Sequence, residues 1–277
     1  MRADLEIRLR ASSDGRADGR VDASGRLAAA PLWCRWDGET LWLVGSAASP
    51  VAEDDVRIRV EVGPGVHATV RSVAAMVLYA ARGDGSSLHT ELSVAAGASL
   101  RWSPEPVIVT ARAEHRSTMQ VDVGARAEVT VDEIVVDGRN DDDRGGRLVS
   151  ELSLTLDGVT TLRSSYDTRT PGWNAGGGVA GARCLGTRLA VRHDDAEAPN
   201  DPPPGPSSGL LRPEAGGLLA LALGGRPTEV SAELDRLVPA AGRPAADRPA
   251  ADRPAADRLP QPRVEMPPST GMMAPVR

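Results

Sequence analysis

Residues 56–62, VRIRVEV, alternate apolar and charged side chains without a break. Val56, Ile58, Val60 and Val62 fall on one face of an extended chain, and Arg57, Arg59 and Glu61 on the other. That is a strand with one face buried. The turn Gly63-Pro64-Gly65 ends it, and VHATVRS follows. The same device returns at 88–102, LHTELSVAAGASLRW, turning at Ala96-Gly97-Ala98, and at 117–131, STMQVDVGARAEVTV, turning at Gly124-Ala125. A weaker copy, SELSLTLDGVTTLRS, spans 150–164 and turns at Asp157-Gly158. The glycines Gly63, Gly97, Gly124 and Gly158 stand 34, 27 and 34 residues apart, which resembles a repeat architecture. A lone two-stranded unit is marginal in water, so the units must bury a shared face against one another. Two arrangements do this: hairpins stacked in one continuous sheet, or a β-helical, solenoid-like body. The expected fold class is mainly β, with few short helices.

The flanks fit this reading. Leu5, Ile7 and Leu9 alternate with Glu6, Arg8 and Arg10 as a strand, and ASSDGRADGR after them is a turn or loop. Asp37-Gly38 lies between the apolar segments around Trp33 and Trp42 and marks a hairpin. VAAMVLYA, 73–80, is a short helical turn or a buried strand. GLLALAL, 217–223, is a last strand or a helix start. Val230, Leu234, Leu237 and Val238 stand at helical spacing. Residues 194–209, DDAEAPNDPPPGPSSG, read as a flexible stretch. RPAAD then recurs three times between 243 and 257. A proline every fifth residue removes amide donors and clashes with the preceding turn, so no stable helix forms there. The expected organisation is a β-rich domain over 1–238 and a disordered, low-complexity tail over 239–277.

Composition narrows the function. The formal charge of -6 comes from 32 basic and 38 acidic residues, mostly interspersed, which argues against a dedicated nucleic-acid binder. No run approaches the 18 apolar residues of a membrane helix, and no apolar segment of a signal peptide follows Met1. The expected location is the cytoplasm. Cys34 and Cys184 are far apart and read as idle thiols rather than a disulfide framework. There is no P-loop, no dinucleotide fingerprint, no nucleophile elbow and no HExxH or CxxC. His67, His89 and His115 lie in or beside strands and would share a surface if the units stacked as hairpins. Acidic residues gather at 53–55, at Asp132, Glu133 and Asp137, and at 140–143. Their bland reading is solvated loop ends. Trp102-Ser103-Pro104-Glu105-Pro106 breaks any strand ladder and holds Glu105 on a rigid, extended elbow. Two readings outside metal handling stay open: a strand-rich structural or interaction protein, and a hydrolase using Asp132, Glu105 and a histidine.

The order of motifs resembles the urease accessory protein family UreD, also called UreH. The family runs through a GGD element, a strand with a turn, a TTQAATKVY-like element, W-x-P-[DE]-P-x-I, a GA turn and D-x-x-x-x-GR. Here the matching stretches are ASPVAEDDVRIRV, GPGVHATV, RSVAAMVLY, WSPEPVI, VGARAEVT and DEIVVDGR, within residues 40–165. The residues carried over are Asp55, Tyr79, Trp102, Pro104, Glu105, Asp132, Gly138 and Arg139. The chain departs from the pattern elsewhere. Arg71 and Ser72 replace paired threonines, Val73 and Val77 replace glutamine and lysine, and Gly145-Gly146-Arg147 stands where a GE pair is expected. It reads as a divergent member. The resemblance implies a β-helical body with no catalysis of its own. It implies partners in nickel insertion: the urease apoprotein, UreF, and the GTPase UreG through UreF. It further implies no stably held cofactor, and nickel in transit with the chain as its conduit. The alternation from Ala127 to Val131 puts Asp132 opposite Val129 and Val131, whereas Ile134 and Val136 would share its face. This predicts a bulge near Asp132, with its carboxylate on backbone amides. Gly138 is then a turn residue free to take positive φ, and Arg139 reaches a carboxylate as a fork, within the chain or on a partner.

Overall fold

The computed structural model describes residues 1–11, 21–46, 50–51, 53–80, 83, 85–139, 144–192 and 203–239. The loop after Ala11, the carboxylates at 140–143, most of 194–209 and the RPAAD segment lie outside the described residues.

The repeated turns do not close hairpins. β6 (Asp55–Val62), β9 (Ser86–Val94) and β12 (Glu114–Val123) lie side by side and parallel in one sheet. β7 (His67–Ser72), β10 (Ser99–Trp102) and β13 (Glu128–Asp137), reached through those turns, lie side by side and parallel in a second. Each turn is an arc that carries the chain from one sheet to the other. Three arcs share one hydrogen bond, from Val66, Ala98 and Ala127 N–H to the carbonyls of Gly63, Ala95 and Gly124. The third residue of each takes positive φ: Gly65, Gly97 and Arg126. Gly97 therefore holds a different place in its arc than Gly63 and Gly124 do in theirs; at the equivalent residues Gly65, Gly97 and Arg126 the spacing is 32 and 29 rather than the 34 and 27 of the glycines. Of the two arrangements left open by the sequence, the solenoid-like one is present.

The first sheet is completed by β1 (Arg2–Ala11), β2 (Val21–Arg26), β14 (Arg147–Leu156) and β15 (Val159–Asp167). Its order is β15-β14-β12-β9-β6-β1-β2. The fourth turn, Asp157-Gly158, does close a true hairpin, β14–β15. The second sheet adds β3 (Ala28–Ala29), β4 (Leu32–Trp36), β5 (Thr40–Gly45), β8 (Met76–Leu78), β11 (Val107–Val109), β16 (Cys184–Val191), β17 (Ser208–Leu211) and β18 (Leu218–Gly224). Its main path is β17-β18-β16-β13-β10-β7-β5-β4-β3. The hairpin at Asp37-Gly38 pairs β4 with β5, VAAMVLYA supplies the strand β8, and GLLALAL becomes β18. Near the arcs the two sheets enclose a purely aliphatic interior: Leu9, Val60, Val62, Leu92, Val94, Val121, Val123, Leu100 and Val129 are all buried.

One helix is described, α1 (Pro227–Leu237), on the outer face of the second sheet. Val230, Leu234 and Leu237 pack against Cys184, Ala190, Leu218, Ala220 and Ala222. β13 is consequently covered on both sides. Val129, Val131 and Val135 face the interior, while Ile134 and Val136 pack toward α1. This corrects the expected bulge: β13 and β16 pair in unbroken register from Val129↔Val191 to Val136↔Cys184. The apolar residues change sides because a helix waits on the other face.

α1 approaches closely because β16 carries Gly186. A Cβ there would overlap Val230 Cγ1 and reach 3.0 Å from Leu234. We expect Gly186→Val to lower stability by about 1–3 kcal/mol, the usual scale of overpacking. Urea unfolding measures it; a midpoint equal to wild type would show that α1 is not seated on this glycine.

Candidate functional site

The second sheet is interrupted where the WSPEP segment stands. Pairing of β10 with β13 stops at Trp102↔Val131 and resumes, through β11, at Val107↔Val135. Pro104 and Pro106 have no N–H to offer a ladder. The Glu105 amide donates instead to Ser72 Oγ at 2.8 Å. The neighbouring coil breaks at the same level, between β7 and β8, where Val73, Ala74 and Ala75 are exposed.

A cavity of about 290 Å³ occupies this gap. Its wall includes Glu105, Pro104, Ser72 and Val73–Ala75 at the surface, and Thr90, His115, Ser117 and Glu133 inside. It also takes in Trp102 from the inner face of the second sheet and Asp132 and Ile134 from the outer face. The lining therefore spans both sides of the sheet. Five of the eight residues expected from sequence meet here: Tyr79, Trp102, Pro104, Glu105 and Asp132. Asp55 does not. It sits on the outer face of the first sheet, accepting from Ser87 Oγ at 3.0 Å and lying 3.5 Å from His89 Nε2. Gly138 ends β13 with φ of 84°, as a turn residue. Arg139 stacks its guanidinium 5.7 Å over the Tyr79 ring.

Asp132 is not held by backbone amides. Its carboxylate accepts from Arg188 Nε at 2.5 Å and Nη2 at 3.0 Å, and from Ser103 Oγ at 3.2 Å. Arg188 is 2% exposed and also donates to Asp235 of α1 and to the Val238 carbonyl. This ion pair joins the cavity rim to the helix. Arg188 was overlooked, yet the signal was present: it is the lone charge in CLGTRLAV, an otherwise apolar and small-residue strand.

Deeper in, the interior turns polar. His115 Nδ1 lies 2.8 Å from Ser86 Oγ. Burial, with His89 adding repulsion, pushes the His115 imidazole down to about 4. Glu133 accepts from Ser150 Oγ at 3.2 Å and Tyr166 Oη at 3.5 Å. Burial raises the Glu133 carboxyl; burial and the adjacent Glu133 charge raise the Tyr166 phenol. The four-residue gap of the acid-to-GR element also falls on Glu133 rather than Asp132, since residues 134–137 separate it from Gly138-Arg139. The strand histidines do not converge. His67 pairs with Ser99 on the second sheet's outer face, His89 with Thr118 on the first sheet's, and His115 is interior. Among the described residues no group of three or more His, Cys, Asp or Glu could hold a metal ion, and no helix is long and apolar enough to cross a membrane. Cys34 and Cys184 are free and buried.

Glu105, Asp132 and His115 share one cavity, as the hydrolase reading required. Asp132, however, is tied up in its ion pair with Arg188.

A family model described as UreD urease accessory protein matches residues 3–255. Among individual proteins, the chain is 32% identical over 212 residues to the urease accessory protein UreD of Frankia alni, covering 69% of this chain and 70% of that one. It is 35% identical over 159 residues to UreD 1 of Saccharopolyspora erythraea, covering 57% and 62%. It is 32% identical over 182 residues to UreD 1 of Streptomyces griseus, covering 61% and 71%. These matches set the assignment: the chain belongs to the UreD family of urease accessory proteins.

Proposed function

We propose that this chain is a non-catalytic scaffold of a cytoplasmic nickel-insertion assembly. It binds the urease apoprotein and UreF, with UreG engaged through UreF, and Ni²⁺ passes through it as cargo. The observation that carries the reading is the cavity whose lining comes from both faces of the second sheet, through the gap made by Pro104 and Pro106. Its donors are dispersed: Glu105 at the rim, then Ser117, Thr90, Glu133 and His115 inside. Oxygen and imidazole ligands suit a divalent cation, and single donors spaced along a path let it leave as readily as it enters.

The test is to fill the path without unfolding the chain. Ser117 lies on the cavity wall. Ser117→Phe, co-expressed with urease and its other accessory proteins, should cut urease activation about tenfold or more. Its melting temperature should stay within a few degrees of wild type, and it should still co-purify with UreF and urease. Full activation by a folded Ser117→Phe chain would remove the conduit. Failure of the wild-type chain to co-purify with either partner would remove the scaffold.

A further inference from the structure

Between β15 and β16 the chain runs through residues 168–183, a glycine-rich loop with neither strand nor helix. The N–H groups of Trp173, Ala175, Gly178, Val179, Ala180 and Ala182 all donate to carbonyls within residues 170–179. These bonds close inside the loop, so it is a compact piece that can shift without losing them. Gly172 and Gly181 stand at its two ends with φ of 85° and 80°. They are suited to absorb a change of backbone direction.

Side chains fasten this loop to the body. Arg144 donates through Nη1 to the Ala182 carbonyl and through Nη2 to the Gly181 carbonyl, each at 3.3 Å, and its Nη1 lies 2.9 Å from the Asp137 carboxylate. Arg144 is 37% exposed, so water competes for all three contacts. Val179 is buried, but a void of about 20 Å³ lies beneath it, lined also by Val109, Val135 and Trp173. Trp173, half-buried, stacks on Tyr166 with ring centroids 5.5 Å apart. Tyr166 Oη donates to Glu133 Oε2 at 3.5 Å, and the buried Ser150 donates to the same oxygen at 3.2 Å. Glu133 lines the 290 Å³ cavity. The two stacked rings therefore join a carboxylate of the cavity to the protein surface by a route that does not pass Pro104 or Glu105.

We propose that residues 173–180 are a lid over a second opening of the cavity. The lid is hinged at Gly172 and Gly181 and latched by Arg144. Lifting Trp173 off Tyr166 exposes the interior beside Glu133. The use of this opening by a cargo rests on the conduit reading; the movement of the lid does not.

Two single-cysteine chains report on the movement, both carrying Cys34→Ala and Cys184→Ala: Val179→Cys on the lid and Ser150→Cys beside Glu133. Each full chain is labelled with iodoacetamide, without metal or partner, at several dilute urea concentrations. Mass spectrometry follows the rate. Lifting a lid exposes little surface, so both rates should be nearly flat in dilute urea. Arg144→Met should raise both about fivefold, the scale of one exposed ion pair, with the urea midpoint close to that of the parent. Trp173→Ala, which removes the ring stack, should raise both as well. Rates that climb steeply from the first addition of urea would overturn the lid, because labelling would then require global unfolding. A Ser150→Cys rate that neither Arg144→Met nor Trp173→Ala changes would overturn the second opening, since the reagent would then enter without the lid. Neither result depends on nickel, so the Ser117→Phe experiment tests the conduit separately.

Discussion

Arg188→Met should lower the stability of the folded chain by about 3–5 kcal/mol, because it leaves a buried carboxylate without its cation. Asp132 is 8% exposed at its side chain and receives two of its hydrogen bonds from Arg188. The same guanidinium holds Asp235 and the Val238 carbonyl, so α1 loses its polar anchor together with the rim of the cavity. For a unit of this size the melting temperature should fall by roughly 10 °C. The double variant Arg188→Met, Asp132→Leu separates the ion pair from the packing. Replacing a whole buried pair with apolar groups is often near neutral, so the double variant should recover most of the loss. A single variant within about 1 kcal/mol of wild type would show that the pair does not anchor α1. So would a double variant whose losses simply add.

The second large effect is a pH dependence centred on His115. Its folded-state value of about 4 lies below the ordinary imidazole value of 6.5. The folded chain therefore binds fewer protons than the unfolded chain between these limits. The contribution is complete above pH 6.5 and is lost as the pH falls through the window to about 4. Over that range it amounts to about 3 kcal/mol. His115→Gln has no proton to gain and should lack this component. The measurement is the urea midpoint at intervals from pH 7 to pH 4 for both proteins. Parallel curves would show that His115 is not buried in its neutral form. Glu133 works in the opposite sense. Its raised value means that its contribution is present at low pH and is lost as the pH rises through the folded-state value.

The strands were readable because each half-buried run alternates: Val56 to Val62 and Leu5 to Leu9 needed nothing more. What the turns do was not readable, since Gly-Pro-Gly closes an arc between sheets as readily as a hairpin within one. Only the partner of β6, which is β9 rather than β7, decides it. The elbow at Pro104 and Pro106 announced a break in the ladder, and five of the expected residues do gather around it. Asp55 lies on the outer face of the first sheet and Arg139 over the Tyr79 ring; single-strand alternation assigns a face but not a neighbour. Asp132 was recognised as irregular for the wrong reason. The change of apolar face at Ile134 reflects α1, which lies about a hundred residues further along the chain and is invisible from within the strand. Arg188 was missed as an isolated charge inside an apolar run, and Glu133 was read with its acidic neighbours as a solvated loop end although it lies against Ser150 and Tyr166.

The parallel stacking of the first sheet also makes the protein a gauge of length. β2 and β15 form its two borders, separated by six inter-strand steps. At roughly 4.8 Å per step the borders stand about 29 Å apart. Every step between them is fixed by main-chain ladders rather than by adjustable side chains. A body resting on one border and a body resting on the other are thus held at a set distance, and adding or deleting one coil would change that distance by a single rung.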